Sequence, residues 1–209
     1  MLPILARVAF CPTRRTAPTF TIAALTIGWL VAAPGESRLF AADPQQSAAA
    51  RQQWTMAEPP PKAADVLDVR RSLNAKKQPD GSANLAEVTV TGQIGGMPNP
   101  WTETHPDFPW YRGQASFFLL DSKVASQFAR HAKSHGGHAN CSFCQQLAAK
   151  NAHAVAVVNF VDAQGKVLKT DARELLALRE NQKVVIRGKA QLLGGSFVVI
   201  TAEAIHARR

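Results

Sequence analysis

The residues best suited to chemistry in this sequence fall in one short stretch. The segment HAKSHGGHANCSFC carries His131, His135, His138, Cys141 and Cys144, spaced His-x3-His-x2-His-x2-Cys-x2-Cys. A Cys-x2-Cys turn brings two sulfurs within reach of one ion. Zinc takes four nitrogen or sulfur ligands in a closed site and three when one position stays open. Thiolate combined with imidazole suits cuprous copper equally well, so the metal expected here is Zn or Cu. His131 and His135 are four apart and share a helix face. The Gly136-Gly137 pair allows the chain to double back and bring His138 toward the cysteines. Cys141 and Cys144 lead the ligand set, followed by His138, then His135 and His131.

Two other chemistries use the same cysteines. With Cys141 at a helix N-terminus, the backbone N–H groups would lower its pKa and Cys144 would resolve the mixed disulfide. Alternatively, the two cysteines form a plain disulfide that staples a polar insertion, and the histidines face solvent. Residue types and spacing leave all three open.

Redox compartment bears on that choice. Residues 19–33, TFTIAALTIGWLVAA, carry no charge and follow Arg14 and Arg15. A basic start followed by a short apolar run is the pattern of a secretory signal, and fifteen residues are few for a membrane span. Small residues at Ala41 and Ala42 precede the polar run DPQQS, so residues 1–42 are expected to be a signal peptide or an N-terminal anchor. The membrane would be reached only through that segment, left uncleaved. The expected location is outside the cytoplasm, in the periplasm or cell envelope. Beyond residue 42 the only cysteines are Cys141 and Cys144. In an oxidising compartment such a pair bonds, binds metal or cycles.

Net charge is +9, and residues 1–42 hold four arginines and one glutamate, so the remainder carries +6. That excess favours anionic partners by long-range attraction. The Lys and Arg residues are scattered, as on an ordinary solvated surface.

The elements that must position the cluster are read from hydrophobic period. Residues 43–84, rich in Pro, Ala and Gln, are expected to be a flexible linker, with one helical turn or a short strand at 65–73 and a turn at KKQPDGSAN. From Leu85 the pattern becomes structured. EVTVTGQIGG alternates as a half-buried strand does. ASFFLLDS is a second strand, and AHAVAVVNFVD is a near-continuous apolar third. KVVIRGKAQLL and SFVVITAEAIHA are two more, joined at Gly194-Gly195. SKVASQFARHAKSH has helical spacing with Val124, Phe128 and Ala132 on one face, and CSFCQQLAAKN is a short helix. DARELLALREN opens on Asp171 as an N-cap, with Glu174 three residues on. The aromatic, proline-rich loop holding Trp101, Phe108, Trp110 and Tyr111 is expected to lie on the sheet as a lid rather than stand free as a stacking platform.

The order is strand, strand, His/Cys-bearing helical insertion, strand, helix, strand, strand. Residues 85–209 are therefore expected to be a mainly-β, five-stranded OB-like barrel, with a helix between strands 3 and 4 and the insertion between strands 2 and 3. Gly92 and Gly188 sit mid-strand, where a small barrel must bend.

The stretches VTGQIGG, FFLLDS, CSFC and VAVVNFVDAQGKVLKTDARELLALRENQKVVIRGKAQLLGGSFVVITAEAIHA resemble small exported OB-fold proteins of planctomycete bacteria whose function is unknown. The resemblance covers roughly residues 85–207 and implies export and an OB-like barrel. It implies no activity.

No Ser/His/Asp arrangement, phosphate-binding glycine loop or acidic pair stands out. The leading expectation is a non-enzymatic exported binding module whose His/Cys site takes a metal ion, with an envelope protein or an anionic polymer as further partners. The alternative from the enzyme class is a thiol-disulfide or metal-handling redox protein using Cys141 and Cys144. Single-stranded nucleic-acid binding is the common use of the fold, but fold does not license function and export removes most nucleic acid from reach.

Overall fold

The computed structural model describes residues 51–76, 85–135, 141–194 and 197–208. Among the described residues the principal elements follow in chain order: β1 (Ala64–Asp65), α1 (Val66–Ala75), β2 (Ala86–Ile94), β3 (Ser116–Leu120), α2 (Ser122–His135), α3 (Ser142–Lys150), β4 (Val155–Phe160), α4 (Ala172–Leu176), β5 (Lys183–Leu193) and β6 (Phe197–Ala207). Strands β2 to β6 close on themselves. β2 pairs antiparallel with β3, β3 with β4, β4 parallel with β6, β6 antiparallel with β5, and β5 antiparallel with β2. The protein is mainly β, built on a closed, mixed, five-stranded barrel.

Alternation along β3 and β4 explains why they read as unbroken apolar runs. Phe117 and Leu119 point into the barrel with Ala156, Val158 and Phe160. Phe118, Leu120 and Val155 point outward into a second apolar cluster. Strands covered on both faces carry no polar alternation. Closure also demands close backbone approaches. A Cβ on Gly188 would lie 2.1 Å from the Thr201 carbonyl oxygen, beside the bulge between Arg187 and Gly188. One on Gly92 would lie 2.7 Å from both Leu119 Cγ and the Leu120 carbonyl. Only glycine fits either place.

The packed unit begins before Leu85, and this differs from the expectation of a linker running to residue 84. Residues 51–54 are helical, Thr55 bridges to Ile205, and β1 pairs parallel with Val90 and Thr91 of β2. Helix α1 then buries Val66, Val69 and Leu73 in the interior cluster, and the Trp54 ring meets Phe160 edge-on at 5.3 Å. The physical reason is local: apolar residues at i, i+3 and i+7 supply a helix face. β2 and β3 share only two register pairs, Gln93–Leu120 and Ile94–Leu119. The rest of that edge of β2 is met by β1 and α1.

Helices α2 and α3 lie on the outer cluster. Val124, Ala125 and Phe128 of α2 and Ala148 of α3 are buried there with Phe118 and Leu120. The start of α2 is held by Asp121, which is fully buried and accepts from the Lys123 N–H at 3.0 Å and the Val124 N–H at 3.4 Å. At α4, Asp171 is the N-cap and its side chain accepts from the Arg173 N–H at 2.9 Å. Of the expected hairpin Gly194-Gly195, Gly195 lies outside the described residues, as do the segment at 19–33 and the rest of 1–50.

Candidate functional site

Helix α3 starts on a cysteine. Cys141 is its N-cap, with extended backbone (φ −91°, ψ 102°), and its Sγ accepts from the Cys144 N–H at 3.2 Å. The Cys141 carbonyl accepts the first helical bond, from Gln145. An N-cap side chain commonly satisfies the N–H of the third helical residue through a Ser, Thr, Asp or Asn oxygen. Here sulfur takes that place, and the residue whose N–H it satisfies is the second cysteine of the motif.

The two sulfurs are free thiols in unlike surroundings. Cys141 is half-buried, whereas Cys144 is fully buried. The Cys141 thiol is held below the usual range, first by a hydrogen bond from the Cys144 side chain, then by the Cys144 N–H. The Cys144 thiol is pushed up, first because it donates to Cys141, then by burial and by the neighbouring Cys141 charge. The two shifts run in opposite directions, so the more accessible sulfur is the easier of the two to ionise. The N-terminal end of α3 favours that charge placement.

His131 stands beside this helix start. Its ring meets Phe143, which lies between the two cysteines, at a centroid distance of 5.7 Å and an interplanar angle of 60°. Phe143 itself is 56% exposed. Of the sequence-derived ligand set, the structure brings Cys141 and Cys144 together and sets His131 against their intervening residue. His135 is the last residue of α2 and is described in backbone only; His138 lies outside the described residues. Among the described residues, no group of three or more His, Cys, Asp or Glu side chains gathers as a metal ion would require.

The remaining histidines have structural partners. The His153 Nδ1 lies 2.9 Å from the Lys150 carbonyl, and the His206 Nδ1 lies 3.1 Å from the Met56 carbonyl. His105 meets Tyr111 and Phe118 at 5.2 and 5.3 Å. The aromatic loop lies on the outside of β3: Trp101 and Tyr111 each stack on Phe118, at 5.1 and 4.9 Å, and Phe108 tilts against Phe118 at 5.2 Å. Burial raises the Tyr111 phenol above its ordinary pKa.

Sequence reasoning missed Asp121, whose carboxylate also accepts from the Leu67 N–H at 3.0 Å. The signal was present, since an Asp directly before a helical period is an N-cap candidate. Its second helix, 54 residues earlier, has no local trace.

No helix among the described residues is long and apolar enough to cross a membrane. Set against protein-family models, curated proteins and solved structures, the chain matches none of them.

Proposed function

We propose that this protein is an exported, OB-like barrel module whose Cys141–Cys144 dithiol exchanges electrons with the disulfides or dithiols of a partner. The observation that carries this reading is the unlike pair: Cys141 Sγ, at the start of α3, accepts from the Cys144 N–H, while the Cys144 side chain is buried. Metal ligation needs two thiolates and no asymmetry between them; a nucleophile and a resolver need this asymmetry. The OB-like assignment is supported by the strand circuit β2–β3–β4–β6–β5 with its parallel β4–β6 seam. Export is supported by the uncharged run 19–33 after Arg14-Arg15.

In the exchange, the Cys141 thiolate attacks one sulfur of a substrate disulfide. A Cys141–substrate disulfide forms, and the other substrate sulfur leaves as a thiolate that takes a proton. Cys144 then gives up its proton and attacks Cys141 Sγ, releasing the second substrate thiolate. Two electrons pass to the substrate, and the protein is left as the Cys141–Cys144 disulfide. The reverse sequence oxidises a substrate dithiol.

A second reading keeps the metal. His131 against Phe143 sets an imidazole-bearing helix beside the two sulfurs. Cys141, Cys144 and the histidines at 131, 135 and 138 would then hold Zn or Cu, a soft ion suited to that donor set.

The test is reaction of the full-length reduced protein, carrying Cys11→Ser so that Cys141 and Cys144 are its only thiols, with a small symmetrical disulfide such as oxidised glutathione, followed by intact mass. The Cys11→Ser protein is expected to finish as an internal disulfide without adduct, and Cys11→Ser/Cys144→Ser to accumulate one adduct on Cys141. A Cys11→Ser protein that retains a stable adduct, or one that does not react, rules the exchange out.

A further inference from the structure

At the barrel end where β2 stops and β5 begins, residues 51–57, the loop after α4 and the tail of β6 line a half-open cavity of about 1100 Å³. None of the cysteines or histidines of the candidate site lines it. Arg51, Arg179 and Arg208 do, against a single carboxylate, Glu180. Among the described residues none of these three guanidinium groups belongs to an ion pair. Among the described residues Arg51 donates to neutral acceptors, the Leu175 carbonyl at 3.3 Å and the Glu174 carbonyl at 3.4 Å, which position its charge without neutralising it. The Glu180 Cγ lies 3.2 Å from where a Cβ on Gly95 would be, placing that carboxylate's stem at the turn after β2.

The wall is also organised in advance. The Gln182 side chain accepts from the Arg179 N–H at 3.1 Å and donates to the Arg208 carbonyl at 3.4 Å. One amide thus ties together the backbones that carry two of the arginines. The Arg208 N–H donates to the Lys183 carbonyl at 3.0 Å, and the Asn181 N–H to the Ile94 carbonyl at 2.8 Å. Leu178 and Ile205, both buried, line the cavity beside Arg51, which is half-buried, and Arg179 and Arg208, which are exposed and so open to a ligand from solvent. Guanidinium forks match phosphate and carboxylate oxygens bidentately. One oxyanion satisfies one fork, and a lining of three calls for more than one.

We propose that this cavity binds a polyvalent oxyanion, a ligand carrying two or more phosphate or carboxylate groups, through Arg179 and Arg208 with Arg51 behind them. The site is independent of the dithiol and of its redox state.

Titration calorimetry on the full chain at low ionic strength tests this, with tripolyphosphate, citrate and inorganic phosphate as probes. Saturable binding of one tripolyphosphate or citrate per chain is expected, at least about tenfold tighter than inorganic phosphate. Whichever of the two binds more tightly identifies the oxyanion as phosphate or carboxylate. The variant R179A/R208A is expected to weaken binding at least about tenfold, and K166A/K189A, which removes the same charge from exposed sites elsewhere, to stay within about twofold. If R179A/R208A does not fold, R179Q/R208Q keeps the polar stems and carries the same expectation. Lack of saturable binding to either polyvalent probe overturns the proposal, as does equal weakening in the K166A/K189A control, which would mark diffuse surface attraction.

Discussion

The Asp121 carboxylate ties two helices that are far apart in sequence: Oδ2 accepts from the Leu67 N–H at 3.0 Å in the first turn of α1, while Oδ1 accepts from Lys123 at the start of α2. It is the point at which the N-terminal elements and the cysteine-bearing insertion share a support. Lys123 adds an ion pair to Asp65, at 3.6 Å; its own side chain is exposed, and a pair with one partner in solvent contributes little.

Replacing Asp121 should therefore loosen both elements together. Asp121→Ala leaves three N–H groups without their acceptor in a buried place and is expected to lower stability by about 2–4 kcal/mol. Asp121→Asn keeps one oxygen acceptor and should cost less. Urea unfolding checks the magnitudes, and hydrogen exchange checks that the amides of Leu67 and Val124 lose protection together.

Cys141 should titrate below an ordinary thiol and Cys144 above it. Iodoacetamide labelling followed by peptide mass is expected to modify Cys141 first, at a rate already near its plateau where free cysteine is still rising with pH. In Cys144→Ala the strongest support for the Cys141 thiolate is gone, so the rate profile should move toward higher pH. An unmoved profile would assign the lowering to the backbone N–H groups alone.

Metal content separates the two readings of the cysteines. Under the dithiol reading, the Cys11→Ser protein purified under reducing conditions should carry well under one equivalent of Zn or Cu and show two titratable thiols. About one equivalent, lost in Cys141→Ser/Cys144→Ser, would favour the ligand set of His131, His135, His138, Cys141 and Cys144.

Asp171 bonds Arg173 twice through side chains, at 2.9 and 2.6 Å, and that contact holds its carboxyl below the usual range. A depressed pKa adds stability that is present above the unfolded carboxylate value, about 3.9, and is lost as pH falls through the lower folded value. Asp171→Ala is expected to cost about 1 kcal/mol at pH 7, mostly as a lost N-cap, because Arg173 is half exposed. The gap between wild-type and variant melting temperatures should narrow below about pH 4.

Gly188 has no room for a side chain. A methyl there would meet the Thr201 carbonyl of β6 at 2.1 Å, and the neighbour is backbone that cannot rotate away. Gly188→Ala should cost about 1–3 kcal/mol or prevent barrel closure, as overpacking does. Near-ultraviolet circular dichroism against thermal unfolding distinguishes the two.

Local pattern determined much of what this chain became. Alternation along Glu87–Ile94 and the apolar runs at Ser116–Leu120 and Val155–Phe160 were enough to find the barrel strands, because a side-chain period is a property of consecutive residues. The Cys-x2-Cys spacing by itself put both sulfurs at one helix turn. Tertiary structure decided the rest. Residues 51–76 read as a linker because their apolar residues are few, yet Val66, Val69 and Leu73 find a core made by strands that come later in the chain. The unlike fates of Cys141 and Cys144 follow from which sulfur faces the packed interior, and spacing is blind to that. Arg51, Arg179 and Arg208 look like scattered surface charge in sequence. They share one cavity only because closing the barrel brings the N-terminal stretch, the loop after α4 and the end of β6 to the same end.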